Sequence, residues 1–534
     1  METSSKRRNR PAPWVPGGGA LVFLVVGLAL VQSDAGASDD VPLARSYDFP
    51  TGENAQTFQG PVGRADCGPG SDPETGALQG QVTVADRESG RSAEGYSCNM
   101  ELVGRYGPDE GFEGAEWQLA RYKDQAGRQC AYYSQRMLNY GVGGKREKAN
   151  PLLTKPGTIV LDVSDPSRPR FARTIDTLGM KDPWETLKVN KARGLLAGVN
   201  VMDFQGASFM GIYDIKADCA NPKKLFDGPI TVLNHEGNWA HDGMTYYSAG
   251  IQPGIVSAID TSDPTNPRLI TTFFAKFGIH GMSTSLDGNR LFLSHINEDA
   301  AYTLSNGNNG TVRSITKGNG IGIYDISDIQ GRKANPQARL VSALQWDDGQ
   351  LGQHTLNFFR DGKPYAIEVS EAGHGAARII DISDEKNPVV VSKTKTEIMM
   401  PANLAVAHSE IFRGTAERGG DFQFGYNFHY CNIDKAQDPT LLACSAFEQG
   451  LRLFDIRDVS RPKEIAYFNN GGDGTRQPGG WGAVYSAYAA AMPQFDPVKQ
   501  HIWYTDMDRG FYVVKPTNET WITDSTEETV SHGV

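Results

Sequence analysis

The chain has 534 residues, of which 39% are hydrophobic, 22% charged and 10% aromatic, with 60 glycines and 29 prolines. This composition excludes a disordered protein, a collagen and a polytopic membrane protein, while the length allows several domains or one large β domain. The formal net charge of -11 argues against a nucleic-acid partner, because phosphate contacts need a surface rich in lysine and arginine.

The N-terminus has the pattern of a secretory signal peptide. Basic residues within the first ten positions precede an apolar run from Ala20 to Val31, and small residues surround Ala37. The run is shorter than the roughly 20 residues that cross a bilayer as a helix, which favours cleavage near Ala37 over an uncleaved anchor. We therefore expect residues 1–37 to be removed. The product would be exported, periplasmic or secreted, with no transmembrane anchor, and the choice between Sec and Tat export stays open.

Six cysteines follow the predicted cleavage site, an even number that suits disulfides in an oxidising compartment. The pairing as a whole is open from sequence alone. Cys431 and Cys444 are the favoured pair, because they lie close together in two segments that we predict to be neighbouring strands. No two cysteines form a CxxC pair, so a thioredoxin-like or zinc-ribbon site has little support.

One phrase recurs along the chain and organises it. Four close copies are Ile159–Pro169, Ala258–Pro267, Ile379–Pro388 and Leu453–Pro462, and two looser copies surround Asp214 and Asp325. Each copy is an apolar strand that ends in a turn, because Asp and Ser bond the turn's own backbone and Pro stops the strand. Two further strand-like runs, joined in several units by an Asp-Gly turn, precede each phrase. Four strands per unit predict a propeller blade.

These units predict an all-β fold, a seven-bladed β-propeller over residues 98–516. Phe511–Val514 matches the apolar strand of a seventh unit but lacks its following strand, and Met100–Arg105 resembles that missing strand. Pairing the two would close the ring and remove exposed sheet edges. Residues 38–97 are predicted to be a polar N-terminal extension, mostly loops, and residues 517–534 a C-terminal tail. Six or eight blades are the alternatives; a linear β-solenoid is disfavoured, because the 46 to 74 residues between successive phrase aspartates are too long and too variable for its short coils.

Four histidines occupy the same position in four units. His235, His280 and His354 each precede an Asp-Gly turn by the same distance, and His429 falls in the same register relative to its phrase aspartate. The first strand of a propeller blade lines the axial channel, so we expect these imidazoles to converge there. Imidazole is the commonest protein ligand of Cu, Fe, Zn and Ni. The sequence therefore predicts a transition metal, Cu or Fe favoured over Zn; ordinary hydrogen bonding by a duplicated histidine is the alternative.

Other side chains are candidates for orienting the imidazoles or for acting on a substrate. They are Glu236, His241, Glu368 and Glu371, together with Asp242 and His295. A carboxylate that accepts the second imidazole N–H fixes the tautomer that binds a metal; for each candidate, a solvated loop charge is the alternative. His408 lies in a long insert and is a candidate lid residue or fifth ligand. In the second unit the equivalent position falls near Trp184 or Glu185, and it carries no histidine.

The recurring phrase resembles the LVIVD repeat of exported bacterial and archaeal proteins, over about residues 98–515. That resemblance implies the fold and little about activity. The sequence HGMSTSLDGNRLFLS at His280–Ser294, with the phrase, resembles more distantly the selenium-binding proteins, or methanethiol oxidase family, which implies an exported, copper-associated protein. The paired cysteine motif of that family is missing. The arrangement of four axial histidines is also similar to the Fe(II) site of carotenoid cleavage oxygenases, although their motifs are missing.

Together these features predict an exported metal-dependent oxidoreductase that acts on a small organic substrate. Two alternatives stay open. One is a non-catalytic periplasmic or cell-surface scaffold with a protein or glycan partner, and the other is a metal-assisted lyase or hydrolase. The sequence contains no HExxH, GxSxG, P-loop or EF-hand motif that would favour another class of enzyme.

Overall fold

A computed structural model describes residues 52–107, 115–135, 157–200, 207–251, 254–275, 277–297, 319–346, 350–372, 375–411, 425–471, 487–507 and 509–525. The predicted signal peptide (1–37) and residues 298–318 lie outside these ranges, as does the side chain of His408. Within them, no helix is both long enough and apolar enough to cross a membrane.

The described residues form seven antiparallel sheets of four or five strands. In chain order the strands are β1 (Tyr96–Cys98), β2 (Met100–Tyr106), β3 (Ala115–Lys123), β4 (Gln129–Gln135), β5 (Thr158–Asp162), β6 (Arg170–Ile175), β7 (Lys188–Asn190), β8 (Leu195–Val199), β9 (Ala207–Asp214), β10 (Lys223–Val232), β11 (Glu236–Trp239), β12 (Thr245–Ala249), β13 (Ile255–Asp260), β14 (Arg268–Phe274), β15 (Gly278–Thr284), β16 (Arg290–Asn297), β17 (Asn319–Asp325), β18 (Arg339–Trp346), β19 (Gln350–Arg360), β20 (Lys363–Ala372), β21 (Ala376–Asp381), β22 (Val389–Lys393), β23 (Cys431–Ile433), β24 (Leu441–Ser445), β25 (Leu451–Asp455), β26 (Lys463–Asn469), β27 (Gln494–Asp496), β28 (His501–Asp506) and β29 (Gly510–Pro516).

Each sheet is one blade of a propeller. Blades 1 to 5 are β3–β6, β7–β10, β11–β14, β15–β18 and β19–β22. Blade 6 is β23–β26 with β1 added outside β26, and blade 7 is β27–β29 with β2 added outside β29. The predicted seven-bladed β-propeller is therefore confirmed.

The ring closes through the pairing of β2 with β29. Met100 lies opposite Pro516 and Arg105 opposite Tyr512 in this antiparallel pair. The predicted closure by N- and C-terminal strands is thus confirmed, and it covers the outer edge that blade 7 would otherwise expose.

The recurring phrase forms the third strand of a blade and the turn that follows it. In blade 3, the Oδ1 atom of Asp260 accepts the N–H of Ser262 at 3.0 Å, and that of Asp263 accepts the N–H of Thr265 at 3.0 Å. Two successive aspartate turns therefore hold the reversal into β14. The preceding residues of β13, from Ile255 to Ile259, are buried, so the apolar half of the phrase packs in the core.

Three disulfides join the six cysteines: Cys67–Cys98, Cys130–Cys219 and Cys431–Cys444. The predicted pair of Cys431 and Cys444 is confirmed, and it links β23 to β24, where the two residues lie directly opposite. Three disulfides fit an oxidising compartment outside the cytoplasm.

The described part of the predicted N-terminal extension packs against blade 6. It contains α1 (Val84–Ser89) and α2 (Arg91–Glu94) and leads into β1. The amide of Gln79 donates to Glu464 at 2.8 Å, and Arg452 pairs with the same carboxylate at 2.9 Å, all three side chains being buried. Two further α-helices, α3 (Ser327–Gln330) and α4 (Leu404–Ile411), and three 3-10 helices, Leu178–Met180, Glu397–Met399 and Pro401–Asn403, occupy connections between strands.

Candidate metal centre

The four register histidines lie at equivalent points of four successive blades. His235 directly precedes β11, His280 lies in β15, His354 lies in β19, and His429 lies two residues before β23. These are the first strands of their blades, and neighbouring first strands adjoin one another around the axis. All four side chains are buried.

Three ligand atoms from three blades converge on one point. The Nε2 atoms of His235 and His280 are 3.1 Å apart. The Oε2 atom of Glu185 is 3.0 Å from the first and 3.6 Å from the second. Atoms that bind one metal at about 2.0–2.2 Å lie about 2.8–3.6 Å from one another at octahedral to tetrahedral angles. The three edges of this triangle therefore match the spacing of three ligands of one ion. We call Glu185, His235 and His280 the metal group.

The protonation of these atoms also fits a cation. Two imidazole nitrogens that face each other at 3.1 Å can share only one proton. The Oε2 atom of Glu185 is buried and lies 3.0 Å from the Nε2 atom of His235, which can donate to it only when that nitrogen carries a proton. A buried carboxylate oxygen without a donor costs free energy. The metal group could therefore hold a metal ion.

Glu185 is held by contacts on both of its oxygens. Its Oε1 atom accepts the amide N–H of Gln353 at 2.6 Å and lies 3.2 Å from the Nε2 atom of His429. Burial raises the pKa of this carboxyl group, but the imidazoles of His280, His235 and His429 outweigh burial and hold the pKa well below its usual value. Glu185 is therefore ionised and oriented towards the metal group.

Neighbouring acceptors fix the ring orientation of two histidines. The Nδ1 atom of His280 lies 3.3 Å from the Oε2 atom of Glu236, and the Nδ1 atom of His429 donates to the main-chain oxygen of Ala490 at 2.6 Å. For His280, such a partner leaves the Nε2 lone pair available for a metal. Gly281 leaves room for the first contact, because a Cβ atom there would lie 2.2 Å from the same Glu236 oxygen. Glu236 thus stands where a ring-orienting carboxylate was predicted.

His429 joins the metal group through carboxylates. Its Nε2 atom is 3.2 Å from Glu185 and 3.3 Å from the predicted candidate Glu371. Burial opposes the charge of this imidazole, but hydrogen bonds to the two carboxylates outweigh burial and raise the pKa of His429 to about 9.

His354 is oriented differently from the other three histidines. Its Nε2 atom accepts the backbone N–H of Cys431 at 3.2 Å, and its ring packs on Tyr430 with 4.5 Å between centroids. Burial and the nearby Lys188 ammonium lower the pKa of His354 well below its usual value, so this imidazole is neutral. His354 lies in the same channel. Its Nε2 atom, the atom that His235 and His280 direct to the metal group, is already bonded to the next blade.

The remaining candidates lie elsewhere in their blades. His241 and Asp242 are exposed in the turn between β11 and β12, at the other end of the strand from His235. Glu368 is buried in β20, where it pairs with Arg378 at 3.5 Å. His295 is buried in β16 and packs on Phe277, with 4.4 Å between ring centroids.

Sequence reasoning did not assign roles to two groups beside the metal group. Lys188, at the start of β7, is buried and donates to the main-chain oxygen of Glu185 at 3.0 Å. The rings of Trp117 and Trp184 pack at a tilt against those of His429 and His235, with centroid distances of 4.9 and 5.9 Å. Trp184 has a φ of 47°, unusual for a bulky side chain and a sign of a constrained site.

Comparisons with known proteins extend the description of the fold. Residues 155–177, which include the first phrase, match the LVIVD repeat. The chain carries that repeat. No curated protein sequence matches this chain significantly.

Solved structures similar to this LVIVD-containing chain are distant. A periplasmic gluconolactonase of Pseudomonas aeruginosa is 13% identical, with a TM-score of 0.43 over 66% of this chain and 85% of that one. A protein from Lactobacillus plantarum is 14% identical, with a TM-score of 0.42 over 71% of this chain and 88% of that one. Likeness at this level does not indicate an activity.

Proposed function

We propose that this chain is an exported metal-binding β-propeller whose metal group makes it a metal-dependent oxidoreductase. The observation that carries the proposal is the triangle of buried ligand atoms from Glu185, His235 and His280. His429 is a further candidate ligand of this proposal, but its Nε2 atom, which contacts the carboxylates of Glu185 and Glu371, would have to lose its proton before it could bind a metal. His354, the fourth histidine of the sequence prediction, requires a ring rotation away from Cys431 before its Nε2 atom can bind.

The donor set favours a redox metal. Two imidazoles and one carboxylate with open positions are typical of non-haem Fe(II) oxygenases, and imidazole also suits Cu and Zn. A bound Fe or Cu ion would supply electron transfer to or from a substrate at its open positions. We therefore propose Fe first and Cu second, with Zn as the redox-inactive alternative.

The surrounding residues have separate roles in this proposal. Glu236 and the main-chain oxygen of Ala490 keep two imidazoles oriented, and Gln353 holds the carboxylate of Glu185. Trp117 packs beside His429 and limits access of water to the group. An enclosed site of this kind suits a small organic substrate better than a polymer. The relation to the methanethiol oxidase family stays a prediction.

The direct test is metal analysis of the purified mature protein by mass spectrometry. We expect about one Fe or Cu per chain, and a large loss of bound metal in E185Q and H235A. The matched control is H241A, which changes an exposed histidine of the same blade. Wild-type protein that binds none of these ions, whether isolated or reconstituted, would contradict the proposal and favour the binding scaffold.

The redox assignment needs its own measurement. Oxygen uptake by metal-loaded wild-type protein, measured against a panel of small thiols, phenols and organic acids, should exceed uptake by E185Q treated in the same way. Full metal occupancy with hydrolysis or elimination of a substrate, and with no oxygen uptake or electron transfer, would favour the lyase or hydrolase alternative.

A further inference from the structure

A small cavity lies between the first strands of blades 1, 2 and 7. Its volume is about 30 Å³, and it is bounded by residues of β3 and β7 and by the start of β27. Its charged lining residues are Arg121, Lys188 and Lys191, and no carboxylate is among the residues that line it. A space of this size is sufficient for about two water molecules or two oxygen atoms of one small group.

Lys188 supplies hydrogen-bond donors that the protein uses only in part. Its side chain is 6% exposed, and an ammonium carries three N–H groups. The acceptor found for it among the described residues is the main-chain oxygen of Glu185, at 3.0 Å. The ammonium also lies 5.6 Å from the centre of the Tyr430 ring and is attracted by the carboxylates of Glu236 and Glu185, none of which lines the cavity. A buried ammonium is stabilised by the acceptors around it, so an acceptor in the cavity next to Lys188 would add to these contacts.

Gln118 supplies a second donor on the opposite strand. Its side chain is 1% exposed, and its Oε1 atom accepts the N–H of Leu119 at 3.1 Å. Its Nε2 atom is buried and has no acceptor within the part of the chain that the structure describes. Because nearly all buried polar groups are paired, this amide also indicates an acceptor from outside the protein.

Arg121 contributes charge without competing for the same ligand. It pairs with the buried carboxylate of Asp496 at 3.2 Å and with the amide oxygen of Gln129 at 2.7 Å. The guanidinium is thus held by the protein itself, whereas the Nε2 atom of Gln118 has no acceptor among the described residues.

We propose that this cavity binds the carboxylate group of a small organic acid, with Lys188 and Gln118 as its hydrogen-bond donors. Two carboxylate oxygens match two donors on opposite walls and the positive lining of the cavity. The link to chemistry rests on the proposed function: Lys188 lines the cavity and donates to the main-chain oxygen of Glu185, a member of the metal group, so an acid held here would be joined to that group through Lys188.

The test uses the full mature chain freed of metal, so that formate cannot bind to an ion. Isothermal titration with sodium formate should show binding to wild-type protein, and formamide, its neutral analogue of the same size, should not bind. K188M keeps the apolar stem and should weaken formate binding about tenfold or more. Q118L should weaken it less. K333M is the matched control, because Lys333 is a surface residue paired with Asp328.

Equal formate affinity in wild type, K188M and Q118L, all folded by circular dichroism, would overturn the site, and so would wild-type protein that does not bind formate. If K188M does not fold, Q118L decides. Metal content is measured separately. If formate binding depends on Lys188 and the protein takes up no metal, the carboxylate site is supported and the metal proposal is rejected. If the protein takes up metal but formate does not bind, the metal proposal is supported and the carboxylate site is rejected.

Discussion

The Nε2 atoms of His235 and His280 face each other at 3.1 Å across the boundary between blades 3 and 4. Each ring reaches this point from its own blade, so the spacing depends on how the two blades pack and not on either strand alone. The carboxylate of Glu185, from the segment that leads into blade 2, completes the group. A group drawn from three blades exists only when the propeller is assembled, so affinity for the proposed metal would be a sensitive measure of correct folding.

Glu236 should tune metal affinity without binding the metal. It contacts the Nδ1 atom of His280, so E236Q removes the charge that fixes this imidazole and leaves the three ligand atoms in place. We expect metal affinity to fall about 10–100-fold, the usual effect of losing such a partner. Competition against a chelating dye measures it. E101Q, an exposed change on β2, is the control, and equal affinity in E236Q and wild type would rule out this role.

Gly281 should be needed for the same contact. A Cβ atom at this position would lie 2.2 Å from Glu236 Oε2 and 2.4 Å from the main-chain oxygen of Gln353. G281A should therefore lower the free energy of unfolding by about 1–3 kcal/mol, as overpacking does, and should weaken metal binding in parallel. G63A is the control, since its nearest neighbour would be a flexible lysine carbon at 3.4 Å. Urea unfolding that leaves G281A as stable as G63A would contradict this prediction.

His295 should make the protein less stable in acid. Burial lowers the pKa of His295 to about 3 in the folded state, against an ordinary value of 6.5. As the pH falls, this imidazole therefore takes up a proton in the unfolded chain before it does so in the folded chain. The free energy of unfolding consequently decreases as the pH drops below about 6.5. Between pH 7.5 and pH 5 this single group should cost about 2 kcal/mol. Urea unfolding of H295L should show a pH dependence smaller by that amount; the same slope in both proteins would contradict the assignment.

The two disulfides of the blades should differ in their effect on stability. Cys130 and Cys219 are 89 residues apart, whereas Cys431 and Cys444 are 13 apart. A disulfide that closes a longer loop restricts the unfolded chain more, so we expect the double serine variants to lose about 4.5 and about 3 kcal/mol, respectively. Thermal and urea unfolding of both variants would measure this order, and the reverse order would show that strain or local packing dominates.

The fold was predictable because its signal is repeated. The phrase around Asp162 and its later copies each specify a strand and a turn, and six copies reduce the uncertainty of any single one. The closing strand at Met100 was recognisable because the last unit lacked its outer strand. By contrast, the pairing of β1 with β26 had no counterpart in the repeat, since Tyr96–Cys98 adds a fifth strand to a complete blade.

The site was predictable only as a position along the strands. Register placed His235, His280 and His429 in one channel, and it placed the equivalent point of the second unit near Glu185 without giving that residue a role. Side-chain direction depends on neighbouring blades, which a repeat does not encode. The bond from the Cys431 amide to His354 arises between blades 5 and 6, and no spacing within one unit predicts it.

The joining of β2 to β29 also sets the order in which the molecule can be built. Met100 is among the first propeller residues to leave a ribosome or an export channel, and its partner Pro516 is among the last. Blades 1 to 5 use only consecutive strands and can form as they emerge, but blade 7 must wait for both ends of the propeller. Until then β2 has no strand to pair with, so in a chain that crosses a membrane unfolded the ring becomes complete only on the far side.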